Sequence, residues 1–599
     1  HQVDDVDRPR LDVDEPAIPH AVWVKNGVSS LHATGGTRMA RTRMTRLALG
    51  FTMLVAPACS APGGGMADSY DLLIRGGRVV DGSGSPAVVA DVAIKDGRIA
   101  RVGRLEGSTA TRVIEAAGHV IAPGFIDLHA HSDLTLLEDG TAQSKIRQGV
   151  TLDVVAEGSS VAPRDGLPEE GDSSVKQDWT TFTEYFDRLE RQGISMNVIS
   201  HVATGQVRRV VLGYESRPAT PAERERMKQL VARSMEEGAW GLIGRFESGG
   251  PEYPDEIIEL ARVAHQYGGN YTTHIGSEGY EQQKELDFAL RVAREVGIPV
   301  HIFHLKIRGQ KLWPEMPKFV QQIQAARDEG LDVTANVYPY TAMSHGWSAC
   351  FPLWVREGGP AKFAERLRDP SLRTRIKRDP EFIAWSEEHG WWDGIAMARA
   401  RQPQNKQYEG KRLAEIAKMR GDADPADTFI TLMAEEGGNI SGVFHNQSED
   451  NVQLVLRQPW VAPASDGSAL NLEAPGVPHP RNYGTNVRVL GRYVRELHVL
   501  TLEEAVRKMT GLPASILGLP DRGLVKEGYA ADLVVFDPDT VGDTNSYEQP
   551  KSYAKGVPYV MVNGVLVVDK GEHTGARPGK ALLGHGRKIA PATSTGQGL

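Results

Sequence analysis

Cysteine is nearly absent from this 599-residue chain: Cys59 and Cys350 are the only two. Two thiols cannot build a disulfide framework or a Cys-rich zinc site, so any metal must be held by His and carboxylates. No run of Lys and Arg marks a nucleic-acid footprint, and a net charge of −9 is modest for the size. Beyond residue 70 no apolar stretch suggests a membrane span. Internal repeats and low-complexity blocks are also missing.

What remains is a globular composition, 40% hydrophobic and 24% charged. The length is too great for one ordinary domain, and a large barrel with smaller pieces is the natural expectation. Residues 1–38 are polar and without periodicity, and read as an upstream extension. Met39 or Met44 opens a basic segment (Arg41, Arg43, Arg46), and Leu47 to Ala58 is apolar, as in a secretory signal. Val55 to Cys59 is similar to a bacterial lipobox, although Ala56 is not the favoured residue at its place. The expectation is an exported periplasmic or cell-envelope lipoprotein with a lipid anchor at Cys59, and residues 1–69 are its leader.

Residues 70–119 are rich in short β signals, with Lys95-Asp96-Gly97 as a hairpin turn. The tail, 521–599, matches them: Ala531 to Phe536 and Tyr559 to Val562 read as strands, and Asn563-Gly564 as a type I′ turn. These two segments are expected to pair into one small β-sandwich domain. Between them, over 120–520, strands and helices alternate, which argues for parallel strands with helical crossovers. Strand candidates are 120–131, 150–157, 197–202, 239–244, 270–275, 299–305, 331–337 and 461–466. A ninth, Ile440 to His445, is either an insertion strand or the true seventh. Helices Asp255 to Gln266 and Gln283 to Val296 end at glycines, and Thr501 to Glu504 is a capping-box signal. The fold class is therefore α/β, a (β/α)8 TIM-like barrel whose site lies at the C-terminal strand ends. Residues 343–438, charged and Trp-rich, are long for one connection and read as an inserted helical subdomain or lid.

His129 and His131 close the first strand candidate. Residues i and i+2 of a strand share a face, so both imidazoles can reach one metal. The spacing alone is weak evidence in a chain with 18 His. Its weight comes from Glu157, His274, His304 and Asp466 at the ends of later strands, a donor set suited to Zn²⁺. His301 lies three residues before His304, so alternation turns it to the opposite face and marks it as structural.

At these residues the chain resembles the amidohydrolase superfamily, and within it the D-aminoacylase (N-acyl-D-amino-acid deacylase) family. The resemblance runs from about Tyr70 to about Gly584. It is carried by Ala122 to His131, Ser160-Val161-Ala162-Pro163, Tyr271 to Ile275, His304-Leu305-Lys306, Tyr338 to Ala342, Ser465-Asp466-Gly467, and His479 to Thr485 leading into Arg488 to Tyr493. It implies zinc ligation by His129, His131, His274 and His304, with Asp466 as catalytic aspartate. Lys306, Tyr338, Ser344 and Arg481 fall where the family holds the substrate's free carboxylate, a role apt for an Arg fork and a Lys point charge. His201 is a further candidate, and either it or Tyr338 is expected to assist at the oxyanion.

Three departures stand out. Glu157 replaces the family's metal-binding Cys; a carboxylate can bridge two ions, so two zinc ions are favoured over one. Gly276-Ser277-Glu278-Gly279 stands where an Arg-Asp-Glu-Gly run is usual, and the segment from Asp466 to Arg481 is long. The reaction the resemblance implies is hydrolysis of a linear amide by metal-activated water, with Asp466 as general acid/base, releasing a carboxylate and a free amino acid. The substrate partner is a small N-acyl amino acid. The alternative is a cyclic amidase of the hydantoinase or dihydroorotase type, or a dipeptidase.

Overall fold

The computed structural model describes residues 69–167, 175–246 and 253–587, with backbone only at 245 and 246. The expected leader, apart from Ser69, with its signal-like segment and the lipobox-like run at Cys59, lies outside the described residues. Among those described, no helix is long and apolar enough to cross a membrane.

The two β-rich segments pair. Strands run in the order 572–573, 565–569, 559–562, 533–536, 120–123, 69–79, 88–95, 98–103, with 109–115 also on 69–79. The halves meet where Val534 faces Ala122 in antiparallel register. Both expected turns have the left-handed backbone of a type I′ hairpin: φ is 50° and 75° at Asp96 and Gly97, and 50° and 82° at Asn563 and Gly564. The expected sandwich is one connected sheet, with a bulge between Ile74 and Gly77 where 69–79 changes partner.

The first strand candidate, 120–131, is two strands. Val120–Pro123 belongs to the sheet just described, and Phe125–Ala130 pairs in parallel with Val150–Val155. Gly124 separates them because nothing larger fits: a Cβ there would lie 2.2 Å from Thr151 Oγ1.

Parallel pairing continues from Val150–Val155 to Asn197–Ser200. After His201 the chain resumes as Val202–Ala203, which opens a second parallel series through Gly241–Phe246, Asn270–Ile275, Val300–Ile302, Val333–Val337 and Val461–Pro463. Past the last strand, Asp466 N–H donates to His129 O at 2.8 Å and His131 N–H to Gly467 O at 3.0 Å. The last segment is thereby tied to the first. Helices fill the connections, and their ends follow local chemistry. Thr181 with Glu184, and Thr220 with Glu223, form reciprocal capping boxes, and Thr501 caps Leu502–Met509. Gly297, with φ of 74°, ends Gln282–Val296.

Residues 343–444 form an excursion with its own core of Trp347, Phe351, Phe363, Phe382 and Phe429. It holds several helices and a three-stranded antiparallel sheet of Met343–Gly346, Ser441–Phe444 and Ile395–Arg399. The ninth strand candidate pairs only here, so it is the insertion strand and not the seventh of the parallel series.

Candidate metal centre

The donors converge where parallel strands end and the chain turns. Ala156, His304 and Asp466 have φ of 98°, 30° and 50°. Such values are rare outside glycine and cost on the order of 1–3 kcal/mol each, which the surrounding packing must offset. They let the chain leave the strand sharply and turn Glu157, His304 and Asp466 inward.

Two donor groups result. His129, His131, Glu157 and Asp466 offer atoms within 4.8 Å of one another, and so do Glu157, His274 and His304. Glu157 is common to both. Its Oε2 lies 3.1 Å from His131 Nε2 and 3.7 Å from His129 Nε2; its Oε1 lies 2.6 Å from His274 Nδ1 and 3.6 Å from His304 Nε2. Each oxygen thus faces a different histidine pair, the arrangement a bridging carboxylate needs.

His129 gives the sharpest test of fit. It is 0% exposed, its ring stacks on Phe303 at 3.7 Å, and neither ring nitrogen has a hydrogen-bond partner. Leaving such a buried group unsatisfied costs about 1–3 kcal/mol. Burial pushes its pKa down to about 4, so it is neutral with a lone pair to give. His131 differs: burial opposes its charge, but contacts with Asp466 and Glu157 carry it up to about 10. A proton is drawn to this pair of carboxylates, and a divalent cation would answer the same field while satisfying His129.

Asp466 Oδ1 is 2.9 Å from His131 Nε2, and its Oδ2 accepts from Arg481 at 2.7 Å. Burial would raise its pKa; Arg481 and the neighbouring histidines overcome this and hold it below the usual carboxylate range. Glu157 is held low in the same way, chiefly by His274 against its burial.

A cavity of about 570 Å³ opens over this centre. Lys306, Ser344 and Arg481 line it together with His131, Glu157, His274, His304 and Asp466. Lys306 Nζ pairs with Glu278, and Arg481 also donates to Ser344 O at 3.2 Å. Two expected contacts lie elsewhere. Tyr338 is buried, and its hydroxyl accepts from Gln447 at 2.8 Å. Its ring lies 5.0 Å from the Arg481 guanidinium and 5.3 Å from Lys306 Nζ, a cation–π support for both. His201 is 2% exposed and faces Asn270 Oδ1 at 2.9 Å. Neither is part of the cavity wall: Tyr338 is held by Gln447, and His201, whose Nδ1 has no hydrogen-bond partner, is held by Asn270 through Nε2.

Sequence reasoning missed the supports. Lys145, 0% exposed, donates to Asp127 Oδ2 at 2.7 Å and Ser465 Oγ at 2.6 Å. Asp127 Oδ1 in turn accepts from His129 N–H and Ser465 N–H at 3.2 and 2.9 Å. Asp127 was within reach of reading, two residues before His129 on the same strand. Lys145 carried no signal. His301 stands behind the centre: Nδ1 meets Thr334 Oγ1 at 2.8 Å, and Nε2 meets the amide of Asn336, whose Oδ1 accepts from His304 N–H at 2.6 Å.

Comparison with known proteins agrees with this geometry. The profile of the amidohydrolase family matches residues 112–345 and 394–568. N-acyl-D-glutamate deacylase of Alcaligenes xylosoxydans is 33% identical over 527 residues, covering 86% of this chain and 97% of that protein. The crystal structure of N-acyl-D-glutamate deacylase from Bordetella bronchiseptica, complexed with zinc and a phosphonate mimic of the tetrahedral intermediate, superposes with a TM-score of 0.73 at 29% identity, covering 86% of this chain and all of that one. A D-aminoacylase structure concerned with a binuclear metal centre matches at a TM-score of 0.71 and 32% identity, with the same coverage. With a profile spanning more than half its length and a relative above 30% identity aligned almost end to end, the chain belongs to the amidohydrolase family, in its D-aminoacylase (N-acyl-D-amino-acid deacylase) branch.

Proposed function

We propose that this chain is a zinc-dependent hydrolase that deacylates N-acyl-D-amino acids, built on a (β/α)8 barrel with residues 343–438 as its inserted lid and the paired terminal segments as its small β domain. The observation that carries this is Glu157, whose two oxygens face two histidine pairs beside Asp466. His129, His131, Glu157, His274 and His304 would hold two zinc ions. Zinc supplies Lewis acidity, making water a nucleophile near neutral pH and polarising the acyl carbonyl.

The chain's own residues do the rest. Asp466 is ionised at neutral pH and accepts the proton released as water attacks the acyl carbon. It then returns a proton to the departing nitrogen, and the free amino acid leaves. Arg481 fixes the Asp466 carboxylate through its 2.7 Å contact. With Lys306 it puts positive charge on the cavity wall, where a substrate's free carboxylate is attracted. Export and a lipid anchor at Cys59 complete the reading, supported by the basic and apolar run from Arg41 to Ala58.

A panel of N-acetyl-D- and N-acetyl-L-amino acids, dipeptides and hydantoins, assayed with zinc-loaded protein, tests the proposal. Linear N-acyl-D-amino acids are expected to be cut, and Asp466→Asn to lower kcat by roughly 10²–10⁴-fold. Cleavage of cyclic amides alone, or undiminished turnover by Asp466→Asn, contradicts it.

A further inference from the structure

We propose that Glu278 is a shared positioning residue, whose one carboxylate orients His304 and Lys306 beside His274 and thereby sets the affinity of one of the two metal positions. The inference rests on the two-metal reading above.

The proton inventory of the two rings leads to it. His304 turns Nε2 into the donor group, 2.9 Å from His274 Nδ1 and 3.6 Å from Glu157 Oε1. His274 turns Nδ1 the same way, 2.6 Å from Glu157 Oε1. The rings therefore use opposite nitrogens, and their outer atoms are His304 Nδ1 and His274 Nε2. A neutral imidazole that offers a lone pair inward carries its hydrogen on the outer nitrogen, which needs an acceptor.

Glu278 faces both outer atoms. Its Oε1 lies 2.9 Å from His304 Nδ1, within hydrogen-bond reach, and 3.9 Å from His274 Nε2, beyond it. Lys306 Nζ is also close to His304 Nδ1, at 2.7 Å, but an ammonium has only donors and cannot take the ring hydrogen. Glu278 accepts from Lys306, and its Oε1 is the acceptor within reach of the His304 ring hydrogen. The residue is 2% exposed and lines the cavity, and its Oε2 has no hydrogen-bond partner. Its backbone is held at φ of 53°, a rarely occupied region, with its carbonyl accepting from Arg308 N–H at 2.8 Å. That backbone delivers the carboxylate beneath both rings. The other pair is served differently, since His129 and His131 meet Glu157 and Asp466.

The consequence is selectivity between two positions only a few ångströms apart. Zinc binding to the full-length chain, followed by competition with a chromophoric chelator, measures it for wild type, Glu278→Gln and Glu278→Asp. In Glu278→Gln one equivalent should bind as in wild type and the other about 10–100-fold more weakly, the usual effect of losing an outer acceptor. Glu278→Asp should weaken the same single equivalent by less. Glu278→Gln leaves the buried Lys306 charge without its partner, so the metal-free unfolding midpoint should fall. Binding is titrated where the variant is still folded, and the equivalent that stays unchanged separates positioning from a general loss of structure. Unchanged binding of both equivalents, or equal weakening of both, overturns the role of Glu278 alone. Should Glu278→Gln not fold, Glu278→Asp decides by the same criteria. Wild-type protein that binds fewer than two equivalents overturns the two-metal reading, and this proposal with it.

Discussion

His129 and His201 are both buried imidazoles with pKa near 4, yet their surroundings give them different work. Neither nitrogen of His129 is partnered, and its Nε2 lies among carboxylates; His201 donates to Asn270 and packs in the core. For His201 the effect of burial on stability can be signed. Its folded pKa is depressed from about 6.5 to about 4, so the unfolded chain takes up a proton between those values that the folded chain refuses. Stability is unaffected above pH 6.5 and falls as pH drops towards 4, by roughly 3 kcal/mol at 1.36 kcal/mol per unit. Urea unfolding of metal-free protein at pH 7 and pH 4 should show that loss reduced by about this amount in His201→Gln. An equal loss in both proteins would contradict the prediction.

This contrast also marks how far single residues could be read. His129 and His131 were legible because strand alternation is local, and alternation likewise separated His301 from His304. The orientation of His201 and Tyr338 was not, since it depends on Asn270 and Gln447, residues 69 and 109 positions away. Glu278 lay in a run recognised as unusual, but its use emerges only when His274 and His304 turn opposite nitrogens inward.

At the scale of elements, the weak point of the parallel series is its seam. Strand Phe125–Ala130 and the segment after Val461–Pro463 are joined by few backbone bonds, among them Asp466 N–H to His129 O. Lys145 braces the seam from below, reaching Asp127 on one side and Ser465 on the other. Asp153 also lies 3.6 Å from its Nζ, so one buried cation serves two buried carboxylates. Removing one partner of such a cluster strands the others and costs about 3–5 kcal/mol. Lys145→Met should therefore lower the free energy of unfolding by that amount in urea titration, with loss of zinc binding following loss of the seam. A change within about 0.5 kcal/mol, the range of ordinary surface substitutions, would show that the brace is dispensable.

For the molecule as a whole, the centre gathers side chains from strand ends at residues 129 to 466, so a bound cation stabilises the folded state and not the unfolded one. Free zinc at a hundredfold excess over its Kd should add about 2.7 kcal/mol. Stripping the protein with a chelator should abolish amide hydrolysis and lower Tm, and zinc should restore both; a Tm indifferent to chelation would mean that zinc does not bind the folded state in preference to the unfolded one. The sequence by itself determined what depends on neighbours along the chain: the alternation of strands and helices, the turns at Asp96-Gly97 and Asn563-Gly564, the capped helices, and His and acidic groups at strand ends. Only the tertiary structure decided the division at Gly124, the placement of Ser441–Phe444 in the insertion, and the supports Lys145, Asn336 and Glu278. The reason is physical. Periodicity and turn chemistry act over a few residues, whereas a buried charge or ring nitrogen is defined by its partner, and Lys145 finds Ser465 320 positions away.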